Sequence, residues 1–256
     1  MSGKYVVKVG CCGFPVSRKK YFKFFETIEL QNTFYNLPSI EWAEKLRKEA
    51  PTSFIFNMKA WQVITHPSTS PTWKKLKQKP PGNLANYGFL KPTKENFTAW
   101  EKVLDIADTL KAKVIVLQTP ASLPYTDESI RWVREFFNIV SSVTSNKHII
   151  GWEPRGKWVT EKALNVLREI LVENNITHII DIFRRDPVHI YKILYIRLHG
   201  IGGKEVNYRY KYTDEDLEHL LNKIRTIGHN NAFVLFNNVA MFDDALRFKK
   251  ILLRKA

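Results

Sequence analysis

The sequence predicts an α/β protein that forms a single (β/α)8 barrel, or TIM barrel, over residues 1–256, somewhat irregular and with a long loop after the third strand. The first observation is size, because 256 residues that are 44% hydrophobic match the ~250 residues typical of one such barrel. The second is rhythm, because short β-rich apolar runs alternate with longer amphipathic segments. That alternation is typical of repeated βα units around a parallel sheet.

Eight short apolar runs rich in β-branched and aromatic residues are the predicted strands. They are Tyr5–Val9, Thr27–Leu30, Ser53–Met58, Lys113–Leu117, His148–Trp152, Thr177–Ile180, Leu194–Leu198 and Ala232–Phe236.

Helices are predicted where apolar residues recur at i, i+3, i+4 and i+7. The clearest are Glu41–Glu49, Lys94–Leu110, Asp127–Val143, Thr160–Asn174, Thr213–Ile227 and Asp243–Leu253. Thr126, Thr213 and Asp243 are predicted N-caps, since short polar side chains satisfy the first free N–H groups of a helix. The helices near Tyr21–Phe25 and Pro187–Ile193 are expected to be short or irregular.

The connection from Ala60 to Pro92 is too long for an ordinary loop and contains five prolines. Long ordered loops in compact domains are usually functional. A lysine cluster stands beside Trp73, and basic residues track phosphates while aromatic rings stack on bases. The lysines are Lys74, Lys75, Lys77 and Lys79. The segment therefore predicts a lid that faces nucleic acid, and the alternative is a surface loop whose aromatic residues anchor it to the barrel.

The balance of 40 Lys+Arg against 25 Asp+Glu gives a formal charge of +15. A field of that sign attracts polyanions, so DNA, RNA or a phosphorylated ligand is the predicted partner. A charged solvated surface is the alternative, although thermophile surfaces normally balance Lys with Glu. No apolar run is long enough to span a membrane and no signal peptide is recognisable, which predicts a cytoplasmic protein without a membrane partner. The adjacent Cys11 and Cys12 cannot staple distant parts of a fold.

In a (β/α)8 barrel the residues that end the strands point into a common mouth where the reacting groups lie. Polar side chains follow the predicted strands at almost every such end. Glu29, Glu153, Asp181 and His199 form a set able to bind Mn, Mg or Zn, and His66 in the long loop could join them. Without a metal, the same carboxylates could act as a general acid and base.

These positions give the predicted site. The predicted catalytic residues are Glu29, Lys59, His66, Glu153, Arg155, Asp181 and His199. The predicted substrate-binding residues are Tyr35, Gln118, Arg197, Asn237, Asn238, Trp73, Lys74, Lys75 and Lys77. No organic cofactor is indicated.

Several motifs lie at the strand ends in chain order. They are Glu29-Leu30-Gln31-Asn32-Thr33-Phe34-Tyr35, Phe54-x-Phe56-x-x-Lys59 with Ile64-Thr65-His66, Leu117-Gln118-Thr119-Pro120, Glu153-Pro154-Arg155 with Trp158, Tyr195-Ile196-Arg197-Leu198-His199-Gly200, and Phe236-Asn237-Asn238. In the same order, they resemble the motifs Glu-x-Asn-Ser-Thr-Phe-Tyr, Phe-x-Phe-x-x-Lys with Ile-Thr-His, Gln-Leu-Pro-Pro, Glu-x-Arg with a following Trp, Tyr-x-Arg-x-His-Gly, and Phe-Asn-Asn of the YecE-like family, also called domain of unknown function 72. The chain departs from the family at Gly10-Cys11-Cys12-Gly13-Phe14, where Gly-Thr-Ser-Gly-Trp is common, and at Gln31, where Asn is usual. The resemblance implies a TIM barrel but no settled reaction.

The leading hypothesis is a metal-dependent hydrolase that acts on nucleic acid or another phosphate ester at the barrel mouth. TIM-barrel metallonucleases such as endonuclease IV are the analogy. Lys59 and Arg155 would stabilise the developing phosphate charge. The alternatives are a metal-free glycosidase or lyase acting on a small molecule, and a barrel that binds nucleic acid without chemistry.

Overall fold

Eight parallel strands form a TIM barrel in the order β1-β8-β7-β6-β5-β4-β3-β2. The computed structural model describes residues 6–144, 146–203, 205–229 and 231–254. The strands are β1 (Val6–Cys11), β2 (Thr27–Leu30), β3 (Ile55–Lys59), β4 (Val114–Gln118), β5 (Ile149–Glu153), β6 (Thr177–Ile180), β7 (Leu194–Leu198) and β8 (Asn231–Phe236). All eight predicted strands are confirmed with ends that shift by at most two residues, apart from Tyr5, which lies outside the described residues.

Helices follow seven of the eight strands and cover the barrel. Turns and bends follow the sixth strand, where the short helix expected near Pro187–Ile193 does not form. The helices are α1 (Arg18–Phe24), α2 (Asn32–Tyr35), α3 (Ile40–Glu49), α4 (Gln62–Thr65), α5 (Lys94–Leu110), α6 (Asp127–Val143), α7 (Leu164–Glu173), α8 (Asp214–Ile227) and α9 (Met241–Arg254). Short 3-10 turns lie at Pro71–Lys75, Leu84–Asn86, Gly156–Val159 and Glu161–Ala163. None of the helices in the described ranges is long and apolar enough to cross a membrane.

The helix starts follow the capping chemistry in two of the three predicted cases. The hydroxyls of Thr126 and Thr213 accept hydrogen bonds from the backbone N–H groups three residues later. The prediction for Asp243 is wrong, because α9 begins at Met241 and Asp243 lies in its first turn. There its charge favours the positive end of the helix dipole without capping it.

The barrel closes between β1 and β2 through an isolated parallel bridge of Cys12 with Glu29. The hydroxyl of Tyr21 fills the place of a ladder bond, since it accepts from the Cys11 N–H at 2.8 Å and donates to the Thr27 carbonyl at 2.9 Å. Gly10 permits this approach, because a Cβ there would lie 2.3 Å from the Thr27 oxygen. The closure carries Glu29 to the mouth of the barrel.

Apolar side chains fill the barrel below its mouth. Val114, Val116, Ile179, Tyr195 and Leu235 form this inner cluster, separate from the larger core between strands and helices. The interior is therefore packed. The polar side chains lie above this layer, at the carboxyl ends of the strands.

The long connection after β3 is ordered and packed against the barrel. Trp73 is 9% exposed, donates its ring N–H to the His66 carbonyl at 3.0 Å and contacts the Tyr87 ring at 6.0 Å. Trp73 thus anchors the loop instead of presenting a stacking face. This corrects the interpretation of Trp73 as a nucleic-acid contact, whereas Lys74, Lys75 and Lys77 are exposed.

Candidate active site

A cavity of about 610 Å³ lies at the carboxyl ends of the strands, within the size range of small-molecule sites. Residues from six strand ends and from the loops line it. They are Gln31, Phe34, Tyr35, Lys59, His66, Thr72, Gln118, Arg155, Arg197, Tyr208, Asn237, Asn238, Val239 and Met241. Among them are three cations and no carboxylate.

Arg197 lies at the centre of the floor of this mouth and joins two carboxylates. Its Nη2 is 3.1 Å from Glu29 Oε1, and its Nη1 donates to Glu153 Oε2. The three residues are 1%, 0% and 5% exposed in the order Arg197, Glu29, Glu153. Buried charges of this kind persist only when paired and hydrogen-bonded. The guanidinium therefore holds the strands β2, β5 and β7 together electrostatically.

Glu29 has two further donors that the sequence did not predict as site residues. The hydroxyl of Tyr195 donates to Glu29 Oε2 at 2.9 Å, and the side-chain amide of Gln31 donates to Glu29 Oε1. The signal for Tyr195 is its spacing, because residues 195, 197 and 199 alternate along β7 and share the interior face.

Glu153 is held ionised by two guanidiniums. Burial acts to raise its pKa, but Arg197 and Arg155 outweigh that effect and hold the pKa of Glu153 well below its usual range. Arg155 donates from Nε at 2.9 Å and from Nη2 at 2.7 Å to Glu153 Oε1. A carboxylate in this state cannot supply a proton near neutral pH, so the glycosidase alternative lacks its general acid at Glu153.

Lys59 ends β3 and has no carboxylate within ion-pair distance among the described residues. Its Nζ donates to Gln118 Oε1 at 2.9 Å and lies 3.9 Å from the centre of the Phe34 ring. Arg197 Nη1 shares the same Gln118 oxygen at 3.2 Å. Burial, followed by the charge of Arg197, lowers the pKa of Lys59 to about 7.

His66 lies on the wall of the cavity and is uncharged at neutral pH. Burial, together with the charges of Lys59 and Arg155, lowers the pKa of His66 to about 3. Its Nδ1 is 2.8 Å from the Thr65 hydroxyl, and its ring packs edge-on against Phe34 with centroids 5.0 Å apart. His66 can therefore act as a neutral hydrogen-bonding group at the mouth.

Asp181 and His199 form a second buried pair beside this cluster. Asp181 Oδ2 accepts from the His199 backbone N–H at 2.9 Å and lies 3.5 Å from His199 Nδ1. The other ring nitrogen, His199 Nε2, is buried and has no hydrogen-bond partner among the described residues. Burial lowers the pKa of His199, with Asp181 acting against it.

The remaining predicted residues divide between the cavity and the scaffold. Tyr35 and Asn237 line the cavity. Asn238 also reaches it, but its amide nitrogen donates to Asp244 Oδ2 at 2.7 Å and to the Tyr210 carbonyl at 2.8 Å. Its amide therefore ties β8 to α9.

The residues predicted to bind a divalent metal do not come together as a ligand set. No three His, Cys, Asp or Glu side chains in the described ranges are arranged to hold an ion. The physical reason is that Arg197 lies between Glu29 and Glu153, where a metal would need their free oxygens. Asp181 pairs with His199 and with Arg184 at 3.6 Å instead. These residues do not fit a metal in this arrangement.

A family model described as "Protein of unknown function DUF72" matches residues 17–256. The chain belongs to this family. The DUF72 match includes Glu29, Glu153 and Arg197, so this buried charged cluster lies inside the family's domain. A comparison with curated proteins found no match.

Solved structures show the same fold. The chain is similar to a DUF72 family protein from Enterococcus faecalis V583, with a TM-score of 0.71, 18% identity and coverage of 98% of this chain and 99% of the other. It is similar to a DUF72 family protein from Thermotoga maritima MSB8, with a TM-score of 0.66, 20% identity and coverage of 97% and 100%. A D-tagatose 3-epimerase-like protein gives a TM-score of 0.55 at 16% identity and covers 96% of both chains.

Proposed function

We propose that the barrel mouth of this DUF72 protein is an active site for a phosphate ester of a small molecule. One observation carries the proposal. The cavity of about 610 Å³ is lined by Lys59, Arg155 and Arg197 and, within the part of the chain that the structure describes, by no acidic side chain. A pocket of that size encloses a small ligand rather than a polymer.

The charge balance of the cluster favours an anion. Glu29 and Glu153 offset the charges of Arg197 and Arg155. In its protonated form Lys59 is the surplus cation, since Gln118 and Phe34 are neutral partners. A bound phosphate would supply the missing negative charge next to Lys59.

Each residue has a separate role in this proposal. Arg155 is the half-buried guanidinium at the mouth and can donate to phosphate oxygens from the face that Glu153 leaves free. Lys59 supplies a donor from the floor, which is charged below its pKa of about 7. Neutral His66 and Asn237 add hydrogen bonds without altering the charge. Because the predicted metal ligands do not form a set, no step depends on a metal.

Calorimetric titration with glycerol 3-phosphate tests the proposal, with glycerol as the ligand that lacks the phosphate. We expect the wild type to bind only the ester. Lys59→Met and Arg155→Met should each weaken binding by about ten- to a hundredfold, because a hydrogen bond to a charged group contributes about 1.5–3 kcal/mol. Lys102→Met is the matched control, since Lys102 is exposed on α5. Equal affinity in all three variants, or no binding by the wild type, would refute the proposal.

Nucleic acid is the second candidate ligand, favoured by a row of exposed lysines beside the mouth. This lysine rim consists of Lys74, Lys75, Lys77 and Lys79. Asn36 fixes the rim, because its amide nitrogen donates to the Lys75 carbonyl at 3.0 Å and its oxygen accepts from the Lys77 N–H at 2.7 Å. Lys75 Nζ lies 4.4 Å from the centre of the Tyr35 ring, which lines the cavity. A strand held by the rim would have its phosphates near the mouth.

The salt dependence of polynucleotide binding tests this second candidate. Each phosphate neutralised on duplex DNA contributes about 0.9 to the slope of log K against log salt. Replacing the four rim lysines, Lys74, Lys75, Lys77 and Lys79, by Ala should therefore reduce that slope by about 3 to 4. A matched variant replaces four exposed lysines of the outer helices, Lys23, Lys45, Lys102 and Lys250. An equal change of slope in both variants would mean that the rim is not the contact.

A further inference from the structure

We propose that Lys59 is a nucleophile whose amine condenses with a carbonyl group of the ligand to form an imine. The inference rests on the proposed function and narrows its substrate class to a phosphorylated aldehyde or ketone. It gives the mouth a covalent step that uses no metal.

The surroundings of Lys59 Nζ leave its amine uncommitted to an ion pair. The nearest acceptor is the neutral Gln118 oxygen at 2.9 Å, which can accept from an amine with either two or three protons. The other contact is the Phe34 ring. Lys59 is 6% exposed and lines the cavity, so a ligand in the mouth can reach the nitrogen.

The four charges that face Lys59 come from three other strand ends and nearly cancel. Arg197 on β7 and Arg155 after β5 oppose a positive charge on it, while Glu29 on β2 and Glu153 on β5 favour one. Both carboxylates are already bound by the guanidiniums.

Desolvation is then the largest influence, and it favours the neutral amine. Neutral His66 adds no charge to the balance. Burial beside another cation is the arrangement by which proteins make lysine nucleophilic at neutral pH.

The step balances without an oxidant or reductant. The Nζ lone pair attacks the carbonyl carbon, a C–N bond forms, and the carbonyl π electrons move to the oxygen. The two protons of the amine pass to that oxygen as the C–O bond breaks. The products are one imine and one water. The phosphate of the same ligand would stay with Arg155, which fixes the carbonyl against Lys59.

Borohydride trapping on the full chain at pH 7 tests the step with three matched probes. Dihydroxyacetone phosphate has both the ketone and the phosphate, dihydroxyacetone lacks the phosphate, and glycerol 3-phosphate lacks the carbonyl. We expect one adduct with the first probe, mapped by mass spectrometry to Lys59, a weaker one with the second and none with the third. At pH 7 the free-amine fraction of an ordinary lysine is about a thousandfold smaller than that of Lys59, so labelling of surface lysines should be minor.

Two variants make the outcome decisive. Lys59→Arg keeps the cation and should bind glycerol 3-phosphate within about tenfold of wild type, yet give no adduct. Lys102→Arg should be trapped like the wild type. Adducts spread over surface lysines and unchanged in Lys59→Arg would overturn the inference, and so would binding of glycerol 3-phosphate without any trapping at Lys59. Trapping of dihydroxyacetone at Lys59 without glycerol 3-phosphate binding would support the imine and reject the phosphate site.

Discussion

Arg197→Met is expected to lower the free energy of unfolding by about 3–5 kcal/mol, the effect of removing one partner from a buried ion pair. The substitution keeps most of the side-chain volume but leaves the buried carboxylate of Glu29 without its counterion. Glu153 would retain Arg155 alone. The loss therefore comes from uncompensated charge and not from a cavity.

Arg134 offers a matched control, because it also binds two carboxylates, Glu169 and Glu173, but at the surface. Its side chain is 37% exposed, and exposed pairs contribute about 0–1 kcal/mol. Urea unfolding of Arg134→Met should therefore show little change. If both variants unfolded at the same urea concentration, the buried cluster would not be a determinant of stability.

A rescue experiment separates charge from packing. Adding Glu29→Gln and Glu153→Gln to Arg197→Met removes the unpaired charges and keeps the shapes of the side chains. Most of the lost stability should return, since replacing a whole buried ionic group is often neutral. No recovery would indicate that Arg197 acts through its packing.

The barrel itself could be predicted from local patterns. Strand and helix positions follow from apolar periodicity, and the Thr126 and Thr213 caps from local chemistry. The prediction of Asp243 as an N-cap is wrong because α9 begins two residues earlier, at Met241. A capping side chain alone does not decide which residue begins a helix.

The chemistry of the mouth could be predicted only in part. The rule that strand ends converge correctly places Lys59, Gln118 and Arg197 at one cavity. It does not say which side chains bind one another. Arg197 is separated from Glu29 by 168 positions in the chain, and their contact depends on the radius and stagger of the closed barrel. The sequence therefore predicts which residues lie at the mouth. It does not predict that Arg197 pairs with Glu29 and Glu153, which leaves these carboxylates unable to form a metal-ligand set.

Trp73 shows the same limit in the long loop. Because its indole lies beside four lysines in the sequence, Trp73 is predicted to stack on nucleic-acid bases. The fold turns the ring inward, and its N–H binds the His66 carbonyl. The loop thus orders His66 at the cavity and leaves its lysines outside.

Lys59 should make the stability of the protein rise with pH just above neutrality. An unfolded lysine holds its proton to a pKa near 10.4, whereas in the folded protein the pKa of Lys59 is about 7. Between these values the unfolded chain binds more protons, so the free energy of unfolding increases with pH. Over the full interval between the two pKa values, the free energy of unfolding would increase by roughly 4–5 kcal/mol.

Other buried groups restrict the pH range in which this effect can be measured. Burial lowers the pKa of both His66 and His178 to about 3, so their own contribution to the pH dependence ends near the ordinary histidine pKa of ~6.5. Burial raises the pKa of Cys11 to about 12 and that of Cys12 well above its usual value. These thiols make stability fall with pH above ~8.5, the pKa of an unfolded cysteine.

The measurement is therefore urea unfolding between pH 7 and 8.5 on the wild type and Lys59→Met, with Lys102→Met as the exposed control. The unfolding free energy of the wild type should rise relative to that of Lys59→Met by up to about 2 kcal/mol over that range, because each pH unit contributes at most 1.36 kcal/mol. The cysteine contributions are common to all three proteins and cancel in the difference, and the pH dependence due to the histidines lies below the measured range. Parallel pH profiles for wild type and Lys59→Met would show that Lys59 keeps its proton in the folded protein, and the amine could not then act as a nucleophile near neutral pH.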